Sequence, residues 1–558
     1  MRDKIPKLLV LAVVPALLYV VLLGALPLIE PDEGRYSDIP SLMNRLSDYV
    51  TPRLQHVVYL EKPPLVYWAT ALSFQLFGES EWSSRLFVGL CAWGCILLTY
   101  FMGRRLSDER TGLYAAAVLS TMLYTFLLGR IHILDLPLTL FVCLAVWTGF
   151  LHFRAGAARR WRLWLTYLFA ALAFLAKGLI GLVFPFAILF VWLLSVGRWR
   201  EVPRLVSPVG ILVLLAVSLP WVILVQKANP DFLWFFFVQE HFLRYTTTMH
   251  GRDQGFWYYI PVLIGGTLPW SAFLWKLLRE RPAEEAPLFA KEDRRFLWSW
   301  FWFILLFFTA SSSKLVPYIA PVFLPAALYF GRLIRSFGES AASAGSHTLR
   351  LLPVAVQAAL FIAVLVLPPF LRNTQLGGDL VLLISERWPL LVAAPIALQV
   401  ALLVVPEALW RRTGRGWFVS AYAITVLFLA SLLPAAGDLL GPYKSVRPVV
   451  EAMKTHMPAG RDLYQYRIAM YGIDFYAKVR TPIVDDFGEL GFGIAKLPPD
   501  ERERYFLHSE RFYELVKEKG DIYCVTQYKE RLNELKKRVP VLEILWDNGA
   551  YYLLRLRG

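Results

Sequence analysis

The sequence predicts a polytopic α-helical membrane protein with about thirteen transmembrane helices, followed by a small C-terminal α/β domain. Its 558 residues include 57% hydrophobic side chains, and the mean hydropathy of +0.48 is too high for a soluble chain of this length. Apolar stretches, each long enough to cross ~30 Å of hydrocarbon, recur along most of the chain. They lie near residues 8–28, 83–103, 112–129, 136–153, 163–177, 179–196, 207–226, 257–277, 296–311, 315–335, 351–370, 379–405 and 416–435.

The first apolar stretch, Met1 to Pro27, has a basic start and an apolar core, as a cleaved signal peptide does. It is also long enough to span a bilayer, and a charged cluster follows it at once. We therefore interpret it as a retained span.

Clusters of Lys and Arg fall in alternate loops, and such loops face the cytoplasm. These clusters account for the formal net charge of +15, and no basic stripe with interleaved aromatics indicates nucleic-acid binding. The N-terminus then lies in the cytoplasm, and the other loops face outward. The outward set comprises residues 29–82, 227–256 and 371–378, the turns at Asp135, Lys177 and Lys314, and the C-terminal tail.

Composition changes after residue 435, where apolar runs shorten and charges become frequent. Short strands are predicted at 462–466, 481–485 and 520–525, with a helix over 500–519. We therefore divide the chain into a transmembrane catalytic domain, 1–435, and a soluble α/β domain, 436–558. The outer loop 29–82 is expected to contain helices that lie on the membrane.

Several chemistries have no support in the sequence. It contains no Walker loop, no GxSxG and no GxGxxG that opens a βα unit, so ATP-driven transport, serine hydrolysis and dinucleotide chemistry have no support and no nucleotide cofactor is expected. Its four cysteines form neither a disulfide framework nor a CxxC metal pattern.

The outer loop carries a cluster of charges in an otherwise very apolar chain, including Asp32, Glu33 and Arg35. Acids favour the start of a helix, and residues 32–47 have apolar side chains at helical spacing. We expect an amphipathic helix lying on the membrane, with Asp32 as its cap, as a group facing a reaction centre, or as both.

Asp135 follows His132 in a short outward turn, where an unpaired carboxylate is costly. One interpretation is a structural partner such as Arg130. The other is that Asp135 and Asp32 converge on one outward cavity.

Basic residues also lie on the outer side, where the positive-inside bias should deplete them. A single interfacial lysine normally snorkels toward lipid head groups, but several together favour an anionic ligand, and phosphate is the natural candidate. They are Lys62, Lys177, Lys314 and the region from Arg244 to Arg252.

A divalent metal such as zinc or magnesium is a further hypothesis. Glu61, His241 and His250 supply one carboxylate and two imidazoles, although their spacing matches no metal motif.

At these residues the chain resembles the GT-C glycosyltransferases that use polyprenyl-phosphate sugars. It is most similar to the lipid A 4-amino-4-deoxy-L-arabinose transferase (ArnT-like) family, which is related to protein O-mannosyltransferases. One departure is Gly255, which stands where the family pattern has proline before Phe-Trp-Tyr-Tyr. The motifs that carry the resemblance are Asp32 to Tyr36, Tyr59 to Trp68, Leu134 to Thr139, Ala176 to Gly178, Glu240 to Tyr259 and Lys314 to Tyr318.

The resemblance implies thirteen spans, membrane-lying helices in the first outer loop and a periplasmic α/β domain. It also implies roles for residues in the matching motifs. Catalytic roles fall on Asp32, Asp135 and Glu33, and donor-phosphate binding falls on Lys62, Arg252, Arg244, Lys314 and Lys177. Substrate binding falls on Arg35, Tyr36, Tyr59 and Tyr318.

The expected protein is a monomeric, multi-pass enzyme of the bacterial inner membrane whose active site faces the periplasm. It would move a sugar from undecaprenyl phosphate to lipid A or another glycolipid among the membrane lipids, with inversion. Alternatives are a protein O-mannosyltransferase-like, galacturonosyl or hexosaminyl transferase, and, from another class, a transporter of lipid-linked sugar.

Overall fold

The computed structural model describes residues 4–156, 159–243, 254–273, 289–339 and 414–558. The chain forms two compact units. The helical unit comprises Met1–Leu23, Leu86–Arg130 and Leu134–Leu432. The sheet unit comprises Gly24–Arg85, Ile131–Ile133 and Leu433–Gly558. The outer loop therefore belongs to the same compact unit as the C-terminal residues.

Five helices within the described ranges are long and apolar enough to cross a membrane, which needs about twenty residues. The chain is thus a helical multi-pass membrane protein. The spans expected at 351–370 and 379–405 lie outside the described residues. The five helices are Pro6–Ala25, Glu81–Leu106, Asp135–Arg154, Pro208–Ala228 and Val316–Ser336.

Aromatic side chains fill much of the helical unit, as in the contact of Phe150 with Phe296, whose ring centroids lie 3.9 Å apart. Gly181 allows close helix packing, because a Cβ there would meet the Ala173 carbonyl carbon at 2.3 Å. The further α-helices are Lys4–Leu8, Val14–Tyr19, Glu109–Thr121, Leu123–Leu128, Trp161–Lys177, Ile180–Ser195, Tyr259–Gly266, Lys291–Ala310, Phe323–Glu339 and Gly414–Lys444. The unit also contains helical segments of other types. The 3-10 helices are Val21–Ala25, Trp199–Leu205, Trp270–Phe273 and Val316–Val322, and the π-helices are Leu9–Val13 and Trp234–Leu243.

The outer loop contains two helices and a small hairpin. The first helix, Asp32–Leu46, is called the Asp32 helix below, and the second is Leu65–Phe77. Between them β1, Arg53–Leu54, pairs antiparallel with β2, Val57–Val58. The exposed face expected of an amphipathic helix is not found, because Glu33 to Met43 are buried around the whole helix. That this helix lies on the membrane stays a prediction. It packs against the second helix, β1 and Gly472–Ala477.

The C-terminal residues form a six-stranded sheet. Its strands are β3 Leu463–Tyr466, β4 Ile483–Val484, β5 Phe506–Leu507, β6 Ile522–Gln527, β7 Val541–Asp547 and β8 Tyr551–Arg557. The order is β5-β4-β3-β6-β8-β7, with β5, β4, β3 and β6 parallel and the β8 pairings antiparallel.

Successive side chains of a strand point to opposite faces of the sheet. Both faces of this sheet are covered by packed side chains. Tyr464 and Cys524 pack with Phe512 on one face, and Leu463 and Tyr523 pack with Val449 on the other. The helices are Arg447–His456, Gly472–Ala477, Gly491–Ile494, Pro499–Tyr505, Ser509–Lys519 and Lys529–Arg538, with a 3-10 turn at Gly488–Leu490.

One predicted element of this region needs correction. The helix expected over 500–519 is two helices, Pro499–Tyr505 and Ser509–Lys519, separated by β5. The interruption occurs because Phe506 and Leu507 pair with Ile483 and Val484 of β4, so that sheet pairing overrides the local helical pattern.

Candidate active site

Asp32 is the first residue of its helix, and its side chain is 58% exposed. The predicted capping role is wrong, because Pro31 is the N-cap residue and no side chain caps the helix. One turn further on, Arg35 is buried, and its Nη1 lies 3.7 Å from Asp32 Oδ1. Asp32 therefore presents an accessible carboxylate beside a fixed guanidinium.

Glu489, in the 3-10 turn Gly488–Leu490, holds Arg35 and Tyr59 together. Arg35 Nη1 lies 2.6 Å from Glu489 Oε2, and the Tyr59 hydroxyl donates to the same oxygen at 3.1 Å. Burial, and then the neighbouring Glu61, raise the pKa of Tyr59, so its hydroxyl remains a donor. Sequence reasoning missed Glu489, since the contact with Tyr59 joins residues 430 positions apart.

Aromatic rings surround the Arg35 guanidinium. Its Cζ lies 5.8 Å from the centre of the Tyr36 ring and 5.5 Å from that of Tyr471. Tyr36 in turn stacks with Tyr67, at a centroid distance of 6.2 Å. The predicted substrate-binding residues Arg35, Tyr36 and Tyr59 thus lie in one cluster with Glu489.

Glu33 lies in a buried ion pair, and the catalytic role predicted for it stays a prediction. Arg85 donates from Nε to Oε1 at 2.7 Å and from Nη2 to Oε2 at 2.6 Å. The backbone N–H groups of His132 and Ile29 donate to the same two oxygens. Burial by itself would raise the pKa of Glu33, but Arg85 and the backbone donors outweigh it and lower the pKa. The carboxylate is fully buried and engaged on both oxygens.

We expect Glu33→Ala to lower the free energy of unfolding by about 3–5 kcal/mol, because it leaves the buried Arg85 without its anion. Thermal unfolding in detergent measures the effect. Glu451→Gln, which touches only an exposed i,i+4 pair with Arg447, serves as control and should cost less than about 1 kcal/mol. Equal losses for the two variants would contradict this assignment.

His132 is also structural. Its ring nitrogens lie 3.2 Å from Ser37 Oγ and 3.1 Å from Thr70 Oγ1. Burial lowers the pKa of His132 to about 4, so the imidazole is neutral near pH 7. It therefore links the Asp32 helix to the second outer-loop helix.

Lys62 and Glu61 lie side by side in the sheet unit, with Lys62 Nζ 3.7 Å from Glu61 Oε2. Both side chains are largely buried. Lys62 Nζ also donates to the Glu61 carbonyl oxygen at 3.1 Å. Lys62, the predicted phosphate-binding lysine, thus has its ammonium group next to the backbone and the side chain of Glu61.

In the helical unit, Asp135 forms a hydrogen-bonded ion pair with Lys177. Arg130, the structural partner suggested for Asp135, instead donates to the carbonyl oxygens of Leu18 and Leu22. The ion-pair partner of Asp135 is therefore Lys177, and the pairing with Arg130 considered from the sequence is wrong. Lys177 joins helix Trp161–Lys177 to the first turn of helix Asp135–Arg154, which begins at Asp135 itself.

Two further predicted residues lie in the helical unit. Lys177 Nζ lies 5.2 Å from the centre of the Tyr318 ring, a cation–π distance. Lys314 is buried, and its Nζ donates to the Ser311 carbonyl oxygen at 2.6 Å. Tyr318 therefore lies beside the Asp135–Lys177 pair.

Some predictions fall outside the described residues, namely those for Arg244, His250 and Arg252. His241 is described only by its backbone, in the π segment Trp234–Leu243. Within the described ranges, no group of three His, Cys, Asp or Glu side chains is arranged to hold a metal ion. The predicted convergence of Asp32 with Asp135 joins residues of two separate units and stays a prediction.

A family model of dolichyl-phosphate-mannose-protein mannosyltransferases matches residues 61–224. An undecaprenyl phosphate-α-4-amino-4-deoxy-L-arabinose arabinosyl transferase of Pectobacterium carotovorum is 34% identical over 322 residues. The chain spans 57% of the length of that relative, and the match covers 57% of the chain. A similarly named transferase of Pseudomonas fluorescens is 30% identical over 525 residues, covering 90% of the chain and 84% of the relative.

Solved structures with a similar fold belong to an ArnT protein. The crystal structure of ArnT from Cupriavidus metallidurans bound to undecaprenyl phosphate matches with a TM-score of 0.84 and 25% identity, covering 98% of both chains. The apo form of the same protein gives a TM-score of 0.82 at 23% identity.

The fold therefore defines a multi-pass membrane protein of the ArnT type. More particularly, the chain belongs to the undecaprenyl phosphate-α-4-amino-4-deoxy-L-arabinose arabinosyl transferase family, since the Pseudomonas relative aligns with most of its length. The family resemblance predicted from the motifs is confirmed.

Proposed function

We propose that this protein is an inverting glycosyltransferase that moves 4-amino-4-deoxy-L-arabinose from undecaprenyl phosphate to a phosphate of lipid A. The observation that carries the proposal is the alignment, over 90% of the chain, with a relative named for that donor and that sugar. The structural match to ArnT bound to undecaprenyl phosphate supports the same donor.

The proposed setting is the periplasmic side of the bacterial inner membrane, with thirteen spans in a monomer. Alternation of the basic loops supports the orientation. The compact sheet unit, which contains both the outer loop and the C-terminal sheet, supports a soluble outer part that carries Asp32, Arg35 and Lys62.

In the proposed reaction, an oxygen of the acceptor phosphate attacks the anomeric carbon of the sugar. A new C–O bond forms on one face while the bond to the polyprenyl phosphate breaks on the other, and the lipid phosphate leaves with the electron pair. Cations at the leaving phosphate lower the barrier, because they meet charge where it develops. We assign this role to Lys62, with Arg244, Arg252 and Lys314 as further contributors.

Asp32 faces the sugar or the acceptor in this proposal. Its exposed carboxylate and the fixed guanidinium of Arg35, 3.7 Å apart, offer an acceptor and donors to sugar hydroxyl groups. In the helical unit, Asp135 fixes the ammonium group of Lys177 beside Tyr318. We propose that this pair orients Lys177 for an anion of the donor.

We expect Asp32→Asn to keep more than about a tenth of wild-type kcat if the acceptor is a phosphate. Such an acceptor is already ionised near pH 7, so general-base catalysis, worth about 10²- to 10⁴-fold, is not required. Initial rates with purified lipid A measure the effect, with Asp500→Asn as an exposed control. A loss of 10²-fold or more would contradict the positioning role and favour a hydroxyl acceptor.

A divalent metal held by Glu61, His241 and His250 also remains a proposal. One carboxylate and two imidazoles suit zinc. Metal analysis of the purified protein tests it, and contents of both zinc and magnesium near zero would contradict it.

The direct test of the activity is transfer of radiolabelled sugar from undecaprenyl phosphate to lipid A by the purified protein in proteoliposomes. We expect labelled lipid A. Label that crosses the bilayer without product would instead show a transporter. Label delivered only to a peptide or to another glycolipid would show one of the other lipid-linked sugar transferases.

A further inference from the structure

Glu30 lies just before the Asp32 helix, and the functional assignments above do not use it. Its carboxyl oxygens accept two backbone N–H groups, that of Tyr471 at 3.1 Å and that of Gly472 at 2.8 Å. The backbone N–H of Glu30 itself donates to the carbonyl oxygen of Lys444 at 2.8 Å. Glu30 therefore connects the start of the Asp32 helix to two other stretches of the sheet unit.

Two glycines leave room for the Glu30 side chain. A Cβ atom at Gly34 would lie 2.2 Å from Glu30 Oε1 and 2.6 Å from the Gly472 nitrogen. A Cβ atom at Gly472 would lie 2.3 Å from the same Oε1. These distances are well below a van der Waals contact. The carboxyl group therefore occupies a narrow slot between the Asp32 helix and helix Gly472–Ala477, and both helices need a glycine there.

The backbone that Glu30 holds lies at the start of a short helix. Tyr471 is the N-cap residue of helix Gly472–Ala477, and its own side chain does not cap that helix. The first N–H groups of a helix have no partner within the helix. Glu30 supplies acceptors for two N–H groups at this end, so the position of the Tyr471 backbone depends on the Glu30 side chain.

Tyr471 connects this contact to the candidate site. The residue is 4% exposed, and the centre of its ring lies 5.5 Å from Cζ of Arg35. Arg35 Nη1 in turn lies 3.7 Å from Asp32 Oδ1. By holding the Tyr471 backbone, Glu30 fixes one of the rings that surround the Arg35 guanidinium.

Glu81 offers a comparison, because it also joins the outer loop to the C-terminal residues of the sheet unit. Glu81 Oε1 accepts from the Tyr476 hydroxyl at 3.2 Å and lies 3.2 Å from Arg447 Nη1. The Glu81 side chain is 17% exposed. Within the described ranges, neither of these two contacts involves Tyr471 or Arg35. Loss of the Glu81 contacts therefore reports the structural effect of weakening this junction.

We propose that Glu30 is a positioning residue, which holds the Tyr471 ring against Arg35 and thereby fixes the guanidinium beside Asp32. This inference rests on the proposed function, because it adds a residue to the site that faces the sugar. Glu30 acts through Tyr471 and does not touch the substrate. Misplacement of an orienting group by about 1 Å lowers a rate by about 10²-fold, so loss of this contact should act mainly on kcat.

Kinetics of Glu30→Gln test the proposal, because the amide keeps the shape of the side chain but has one acceptor oxygen instead of two. We expect kcat for sugar transfer, per folded enzyme in proteoliposomes, to fall about 10- to 10²-fold. The KM for the lipid-linked donor should change less than about threefold, since the donor phosphate is assigned to Lys62. The control Glu81→Gln should keep at least about half of the wild-type kcat.

Gly472→Ala is a second variant, because its Cβ would displace the Glu30 carboxyl group and leave Glu30 itself unchanged. We expect it to lower kcat in the same way as Glu30→Gln. The double variant should be within about threefold of the more damaging single variant, because both changes remove the same contact. Losses that multiply in the double variant would show that the two residues act independently and would overturn the proposal.

A chemical measurement tests the position of Arg35 without sugar transfer. Phenylglyoxal modifies accessible guanidinium groups, and mass spectrometry of the full-length protein in detergent gives the rate of modification at each arginine. Arg35 is 8% exposed, and we expect Glu30→Gln to increase its rate of modification at least about threefold by loosening its surroundings. Glu81→Gln should leave that rate unchanged.

The two measurements separate this inference from the proposed function. Unchanged modification of Arg35 in Glu30→Gln would overturn the positioning role, as would equal losses of kcat in Glu30→Gln and Glu81→Gln. A wild-type protein that transfers no sugar would contradict the proposed function, and the modification rates would then decide by themselves whether Glu30 holds Arg35 in place.

Discussion

Replacing Lys62 by Met is expected to lower kcat for sugar transfer by about 10²- to 10³-fold, the loss typical of removing one group that stabilises developing charge. In the proposed reaction Lys62 neutralises the departing lipid phosphate. Its side chain is only 13% exposed, so bulk water has little access to stabilise the charge on the leaving phosphate when the cation is missing. Initial rates at saturating donor, with the purified variant, measure the effect.

The matched control is Lys454→Met, which removes an exposed lysine from helix Arg447–His456 of the same unit. It should leave kcat unchanged, and Lys62→Arg should recover part of the lost rate because it keeps the charge. A Lys62→Met enzyme that is folded and transfers sugar at more than half the wild-type rate would remove Lys62 from the leaving-group role.

The second large effect is expected at the pair of Arg35 and Glu489. Both side chains are mostly buried and 2.6 Å apart, so Arg35→Ala or Glu489→Ala should each lower the free energy of unfolding by about 3–5 kcal/mol. Because either change alone already removes the ion pair between them, the double variant should lose less than the sum, with a coupling of about 1–3 kcal/mol. Chemical unfolding of the four proteins measures this cycle.

Two controls separate the ion pair from general packing. Glu489→Gln keeps an oxygen that can accept from Tyr59 but removes the charge, so it should be less damaging than Glu489→Ala. Glu543→Gln changes an exposed acid that lies 3.9 Å from Arg555 in the same sheet unit, and should cost less than about 1 kcal/mol. Strictly additive losses at Arg35 and Glu489 would show that the contact does not couple them.

Much of the membrane fold was predictable because a bilayer requires long apolar helices. The strands β3, β4 and β6 were also predictable, since their apolar runs are bounded by turn residues. The strand β5 was missed because two residues that pair with β4 interrupt a helical pattern. The Asp32 helix was placed correctly along the chain, but its burial depends on Gly472–Ala477, more than 400 residues away, and no local periodicity shows that contact.

The contacts of the candidate site residues were likewise not predictable from local sequence patterns. Asp32, Arg35, Tyr36 and Tyr59 stood out as candidates because charged and aromatic residues cluster in an otherwise apolar chain, and Lys177 because it interrupts an apolar run. The sequence did not show which acid pairs with which base. Glu33 with Arg85, Asp135 with Lys177, and Arg35 with Glu489 are all tertiary pairings between residues far apart in the chain.

Mass spectrometry of lipid A, from cells with and without this protein, tests the proposed function most directly. Cells that make the protein should contain lipid A heavier by one aminoarabinose on a phosphate, and cells that carry Lys62→Met should lack most of that species. An unchanged lipid A spectrum in cells shown to contain the folded wild-type protein would contradict transfer to lipid A.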